Sequence, residues 1–487
     1  MLAGFSLLYI SCGDTSVTEA ETTKVQSEST IGDGTEFDRL DELGEKNFDG
    51  RVFTILDAND HPEMHVNLPG EELNGDIVND SLYERDLAIE DRYNIDIEYI
   101  QIVNAAAGTT AMKSSVLAGD DAYTICISTI LGGTLGTLAV EGILANLNDL
   151  EYLSLDQNWW SYLMYDSLRF DDKMYYTTGD ISPTMYQMPA VFYLNLDLAE
   201  DYGIDTDFCQ LVRDGKWTLD VVINMTKDMN TDLNGDNVMH ASDDFFGFIH
   251  QQLGGIVTNG LLTTAGVNLS TISDDGKSIS VDIVNEKTLG VIEKLKQLIV
   301  DIQYVEQNDI ITKAFVEDRA LCMYHYAESA SVFLRNMESD YLILPMPKAD
   351  EQQEDYHSYV NAWANAFIGI PTTSDPEFAG FITEALDYYS FKYIRPLAYD
   401  LTYKEKASRD ENSAEMLDII FDTLYYDFNC IYNFGGTTDA LTKALKGTGE
   451  LASEFAAIQS KIEADVETFV ENWNQICLLY TSDAADD

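Results

Sequence analysis

From residue 51 onward the chain alternates between two hydrophobic periods. Arg51 to Leu56 is a short β-rich run. After a loop rich in Gly, Asn and Asp, apolar residues recur at Val78, Leu82, Ile89 and Tyr93, which fits the 3.6-residue period of a helix. Asn94 suits a left-handed cap for that helix. Ile95, Ile97 and Tyr99 then alternate with Asp96 and Glu98, the two-residue period of a strand. Strand, helix and strand in this order predict a parallel pair with a right-handed crossover.

The alternation continues downstream. Val191 to Leu194 reads as a strand, and Asn195 to Gly203 as a short helix closed by glycine. Leu289, Ile292, Leu295, Leu298, Ile299 and Ile302 predict one apolar face of a long helix. Leu342–Leu344 and Ala366–Ile370 read as strands. Asp375 before Pro376 marks a helix start, a cap followed by a proline in the first turn. Its stripe is Phe378, Phe381, Ile382, Ala385, Leu386 and Tyr389, and another helix is expected near Ser413–Leu424. The fold class is α/β, without an evident internal repeat.

The two ends read differently. Residues 2–10 form an apolar run too short to span a bilayer but long enough for the core of an export signal. Ser11, Cys12 and Gly13 follow, and a small residue before Cys resembles a lipobox, with Cys12 as the lipidated residue. Tyr9 stands where Leu is usual, and neither Lys nor Arg precedes the run. The plainer alternative is an apolar N-terminus with no export role. Residues 13–49, poor in large apolar side chains, are expected to form a disordered tether. Residues 477–487 look like the in-frame translation of a transposon-based sequencing adapter and are set aside.

With 487 residues, the chain is comfortable as two α/β lobes. Its 85 acidic against 28 basic residues give a formal charge of −57. Such a surface repels phosphate backbones and anionic headgroups, which argues against a nucleic-acid partner or peripheral membrane adhesion. The cysteines stand at 12, 126, 209, 322, 430 and 477 with no CxxC pair, so zinc and iron–sulfur sites have no support. The four internal ones are expected either to pair or, as the favoured reading, to stay buried thiols. No HExxH, GxSxG or Walker A pattern occurs, and carboxylate pairs drawn from 85 acids carry no information about hydrolysis.

One loop carries a sharper pattern. From Asp232 to Asp243, oxygen donors fall at positions one, three, five and twelve, with an apolar residue at position eight. That is the spacing of an EF-hand-type calcium loop. Asp232, Asn234, Asp236 and Asp243 would supply side-chain oxygens and Val238 its carbonyl, holding a structural Ca2+. Asn237 replaces the usual glycine at position six, where a left-handed backbone is needed. The alternative is an acidic surface turn.

Several local phrases, in order, resemble the family 1 extracellular solute-binding proteins, which include maltose- and oligosaccharide-binding proteins. They are the unit 52–99, Gly119–Tyr123, Val191–Gly203, Gly215–Asp220, Phe315–Ala320 (with Asp318 in place of Gly) and Leu342–Pro347. The resemblance covers about residues 50–475. It implies a two-lobed, type II periplasmic-binding-protein-like fold with hinge and cleft, and chain crossings near 186–190, 322–326 and 364–370. One lobe would then hold 50–188 plus 324–366, the other 189–323 plus 367–476. It also implies a monomeric, lipid-anchored extracellular receptor that presents a carbohydrate to an ABC permease and has no catalytic role.

A sugar site needs flat rings to stack on pyranose faces and polar rim groups to bond hydroxyls. Near the implied crossings these are Tyr186, Tyr324, Tyr326 and Trp363, with Asp180, Ser182, Glu328 and Asn361 as polar neighbours; Trp159 and Trp160 are further candidates. The competing reading for each aromatic is core packing. The rival functions are a secreted carbohydrate-active enzyme and a lipoprotein that presents its ligand to a sensor.

Overall fold

The computed structural model describes residues 38–483, except 63–66, 71, 132–133, 161, 300–307, 365 and 399–410. Cys12 and its apolar run therefore lie outside the described residues, as does most of the expected tether. In chain order the strands are β1 Arg51–Asn59, β2 Ile95–Val103, β3 Ile125–Ser128, β4 Ala190–Asn195, β5 Phe246–His250, β6 Ala320–Tyr326, β7 Tyr341–Pro345 and β8 Phe367–Gly369. The helices used below are α1 Ile77–Tyr93, α2 Ala105–Ala118, α3 Gly255–Thr264, α4 Glu286–Leu298, α5 Pro376–Tyr389, α6 Glu411–Asp422 and α7 Leu451–Asp483.

The strands form two four-stranded sheets. The first runs β8-β3-β1-β2, with β1 parallel to both β2 and β3 and β8 antiparallel to β3. Its opening unit forms as the periodicity predicts. Asp76 caps α1 by accepting from the Asn79 N–H, and Asn94 closes it at φ 50°, its own N–H reaching the Glu90 carbonyl. Helix α2 lies tightly on β1, since a Cβ on Gly108 would collide with Ala58.

The second sheet runs β5-β6-β4-β7, with β5 parallel to β6 and β4 antiparallel to both of its neighbours. Both faces of this sheet are covered, so its strands are nearly continuous in apolar residues. Along β4, Phe192 and Leu194 enter one core, while Val191 and Tyr193 enter another shared with Leu417 and Ile420 of α6. Asp318 takes up the left-handed backbone at φ 55° expected of glycine there. Its carboxylate accepts from Asn195 Nδ2 and Ser339 Oγ, which fixes the turn into β6.

Three expectations are corrected. The lobe assignment fails after residue 323, because the chain does not leave the second sheet within β6. It stays to form β7, paired with β4 from Val191↔Pro345 to Asn195↔Tyr341, and β8 then joins the first sheet beside β3. Helix α5 follows β8 into that layer, where Phe378 packs edge-on against Phe53 of β1. The second correction concerns the tether, whose last residues are docked. Leu40 is buried, Arg39 Nε bonds Glu384 Oε1 at 2.9 Å, and Phe48 packs on Phe378 and Phe381. The third is α4, which buries Val291, Ile292, Leu295 and Leu298 but ends at Leu298 and leaves Leu289 exposed. Its Asn285 cap, which accepts from the Thr288 N–H, sets a phase that turns Leu289 to solvent.

The cap at Asp375 forms as expected, accepting from the Glu377 and Phe378 N–H groups. Cys126, Cys209, Cys322 and Cys430 are buried and form no disulfide, as the favoured reading expects. Among the described residues no helix is long and apolar enough to cross a membrane.

Candidate ligand-binding site

Three chain segments meet where β4 begins. The Ala327 N–H donates to the Pro189 carbonyl (3.0 Å), Glu328 N–H to the Gln187 carbonyl (2.9 Å) and Asn361 N–H to the Met188 carbonyl (3.1 Å). An antiparallel bridge between Pro189 and Val360 completes the junction. These backbone bonds place residues 187–189, 326–328 and 360–363 side by side, although they are far apart in sequence.

The strand period decides what faces this junction. Tyr324 and Tyr326 are two residues apart on β6 and share a face, their rings 6.2 Å apart and edge-on. Tyr359 stacks on Tyr426 at 5.3 Å and interacts electrostatically with Tyr324 and Tyr326. Gly260 of α3 permits the approach, because a Cβ there would strike the Tyr324 hydroxyl and crowd Tyr359.

Several polar atoms here lack partners. The Tyr324 and Tyr326 hydroxyls, Gln187 Oε1 and His250 Nε2 are buried with no hydrogen-bond partner. His250 pairs in register with Tyr324, and burial lowers its pKa, favouring the neutral ring. Glu328 sits beside them, and burial pushes its carboxyl up to about 7. Buried polar groups in folded proteins are seldom left unmatched. A cluster of them at one junction is therefore a signature of a site completed by something else. On the third segment, Trp363 is 42% exposed, its ring 5.0 Å from that of His61. Asn361 is buried, and its Oδ1 accepts from the Trp363 N–H at 3.2 Å.

The other sequence candidates are placed elsewhere, with protein partners. The Tyr186 hydroxyl donates to Asp180 Oδ1 (2.6 Å), and Arg395 meets the same carboxylate through Nε (3.1 Å) and Nη2 (2.9 Å). Burial outweighs Arg395 and raises the Asp180 carboxyl to about 6. Burial, then the nearby Asp180 charge, hold Asp387 well above the usual carboxylate range, while its Oδ1 accepts from the Ile181 N–H. Ser182 Oγ bonds Asn67 Oδ1 (2.7 Å) and Thr184 Oγ1 (2.8 Å). Trp159 and Trp160 are core residues, their indole N–H groups both donating to Glu384. These five candidates pack and brace the fold, with their polar atoms turned inward.

Gln187, His61, His250, Tyr359 and Tyr426 belong to the site but were not anticipated. Adjacency to Tyr186 was a signal for Gln187. The others are brought in by long-range pairing that no local pattern encodes.

In the Asp232–Asp243 loop, Asp232 accepts from the Gly235 and Asn237 N–H groups, which lowers its pKa. Asp236 accepts from the Val238 N–H, and Asn237 takes φ 65°. Asp243 is exposed, whereas the next residue, Asp244, is buried and accepts from Leu233 and His240. Among the described residues no three His, Cys, Asp or Glu side chains converge as a metal site. The loop thus has the backbone form of an ion-binding turn, while its side-chain oxygens bond the loop itself.

No family model and no curated protein matches the sequence. Solved structures do match in fold. The galacto-N-biose-/lacto-N-biose I-binding protein of the ABC transporter from Bifidobacterium longum, in complex with lacto-N-biose, superposes with a TM-score of 0.56 at 14% identity, over 87% of this chain and 99% of that one. A cyclo/maltodextrin-binding protein complexed with maltotetraose gives 0.56 at 11% identity, covering 86% and 98%. The cyclic α-maltosyl-1,6-maltose binding protein from Arthrobacter globiformis gives 0.55 at 11% identity, covering 86% and 99%. The fold is accordingly the two-lobed α/β architecture of solute-binding proteins.

Proposed function

We propose that the chain is the carbohydrate receptor of an ABC importer, holding its ligand at the junction of residues 187–189, 326–328 and 360–363. The observation that carries this reading is the group of partnerless buried atoms on Tyr324, Tyr326 and Gln187, at a junction whose third segment carries the half-open Trp363 ring. A polyhydroxylated guest supplies donors and acceptors to those atoms and a C–H face to the indole. Its binding across both sheets favours a closed arrangement of the two lobes by population shift. A micromolar affinity requires about −8 kcal/mol, within reach of a few stacked rings and hydrogen bonds.

Export, lipid attachment at Cys12, docking of the closed monomer on a membrane permease and binding without turnover complete the proposal. The test is calorimetry over oligosaccharides, amino acids and peptides. Heat is expected for at least one sugar, and silence for every sugar overturns the reading. A structural calcium ion on the 232–243 loop is a separate proposal, supported by Asn237's backbone and the loop's oxygen spacing. Calcium should raise the melting temperature over a chelated sample; an unchanged value ends it.

A further inference from the structure

The junction is unusual in the sign of what it leaves unmatched. Glu328 is half-buried, and its carboxylate has neither a hydrogen bond nor an ion pair with any described residue. Its backbone N–H is tied to the Gln187 carbonyl at 2.9 Å, so the two residues are held together across neighbouring segments. Gln187 Oε1, also an acceptor, is buried without a donor. Among the described residues no cation pairs with Glu328: its neighbours Tyr326 and Tyr193 are phenols held neutral by burial, and the adjacent His325 is neutral, its pKa pushed down to about 3 by burial. The Tyr326 hydroxyl, buried and partnerless, completes the group.

Two acceptors, one of them able to carry a full charge, therefore stand on adjoining segments with no cation among the described residues to match them. A sugar hydroxyl has one hydrogen to give, whereas an ammonium has three and neutralises the carboxylate. The formal charge of −57 also draws cations towards the protein.

We propose that Glu328 and Gln187 together receive a cationic amino group, so that the cleft selects amine-bearing sugars over their neutral counterparts. This rests on the carbohydrate reading above and narrows it. Desolvation alone raises the Glu328 carboxyl, so an approaching ammonium restores the charged form and binding takes up the carboxylate's missing partner.

The experiment is calorimetry at neutral pH with matched pairs differing only in amine for hydroxyl. These are glucosamine with glucose, galactosamine with galactose, and the β-1,4 glucosamine trisaccharide with cellotriose. Each amine-bearing member that binds is expected to do so at least tenfold more tightly than its partner, with the advantage shrinking as salt rises. In Glu328→Gln, which keeps the shape, the advantage should vanish while residual sugar binding remains. Neutral members binding as tightly as amine-bearing ones, or a preference that survives Glu328→Gln, overturns the inference and leaves the carbohydrate reading intact. If no sugar of any kind binds, both fall.

Discussion

Two buried polar clusters flank the entry to β4, and they differ in how their charge is matched. Around Asp180 the carboxylate, Tyr186 and Arg395 hold one another, and Asp387 accepts the Ile181 N–H through Oδ1, while Asp387 Oδ2 has no hydrogen-bond partner and Asp180 Oδ2 has only the Arg395 ion pair. Around Tyr326 the two tyrosine hydroxyls and the Gln187 amide oxygen are buried without hydrogen-bond partners, beside the half-buried Glu328 carboxylate, which has no ion pair among the described residues. Both clusters contain tyrosine beside an acid within a few residues of a crossing, so composition alone does not tell them apart. Ion pairing does: the Asp180 charge is matched inside the protein by Arg395, whereas unfilled valences at a junction await a guest.

The sharpest way to break this contrast is Asp180→Asn. It removes the charge facing Arg395, which is itself buried, and should cost about 3–5 kcal/mol in a urea melt. A loss below about 1 kcal/mol would mean the ion pair is not stabilising.

The next effect is in pH. His325 has its pKa lowered from 6.5 to about 3, so the unfolded chain binds the extra proton between those values. Its contribution to stability is present above about pH 6.5 and lost as pH falls, by at most about 1.4 kcal/mol per pH unit. Asp180, raised from 3.8 to about 6, acts with the other sign: its contribution is present below about pH 4 and lost as pH rises through 6. The two trends oppose one another between pH 4 and 6. His325→Gln should remove the first and leave stability falling across that window. Denaturant midpoints measured every half unit of pH decide the matter, and a midpoint that still rises from pH 4 to 6 would refute the assignment.

The smallest change in stability, under about 0.5 kcal/mol, belongs to Tyr326→Phe, since the lost hydroxyl bonds nothing in the protein. Sugar affinity should nevertheless drop about tenfold, the worth of one hydrogen bond. A variant that is clearly destabilised but binds normally would place Tyr326 with the structural cluster instead.

Much of the fold was legible because it is encoded locally. The 3.6-residue stripe of α1, its Asn94 cap and the alternation of β2 all formed as read, and so did the Asp375 cap of α5. On β6 the i, i+2 spacing of Tyr324 and Tyr326 offered the same kind of local signal, one not used in anticipating the site. What failed depends on distant partners. Trp159 and Trp160 look like stacking platforms until Glu384, 224 positions after Trp160, claims both indoles. The assignment of β7 and β8 failed for a related reason: an apolar strand does not announce which sheet edge it will join.

Glu384 has a consequence for how the molecule comes apart. Buried in the middle of α5, it takes donors from Arg39 Nε, the Ser154 N–H and the indoles of Trp159 and Trp160. One carboxylate thus rivets two stretches of chain, the leading segment and residues 154–160, to a single helix. Neither can peel away without stranding an acid in an apolar interior, so the leading segment, the tryptophan pair and α5 are bound to open as one cooperative unit.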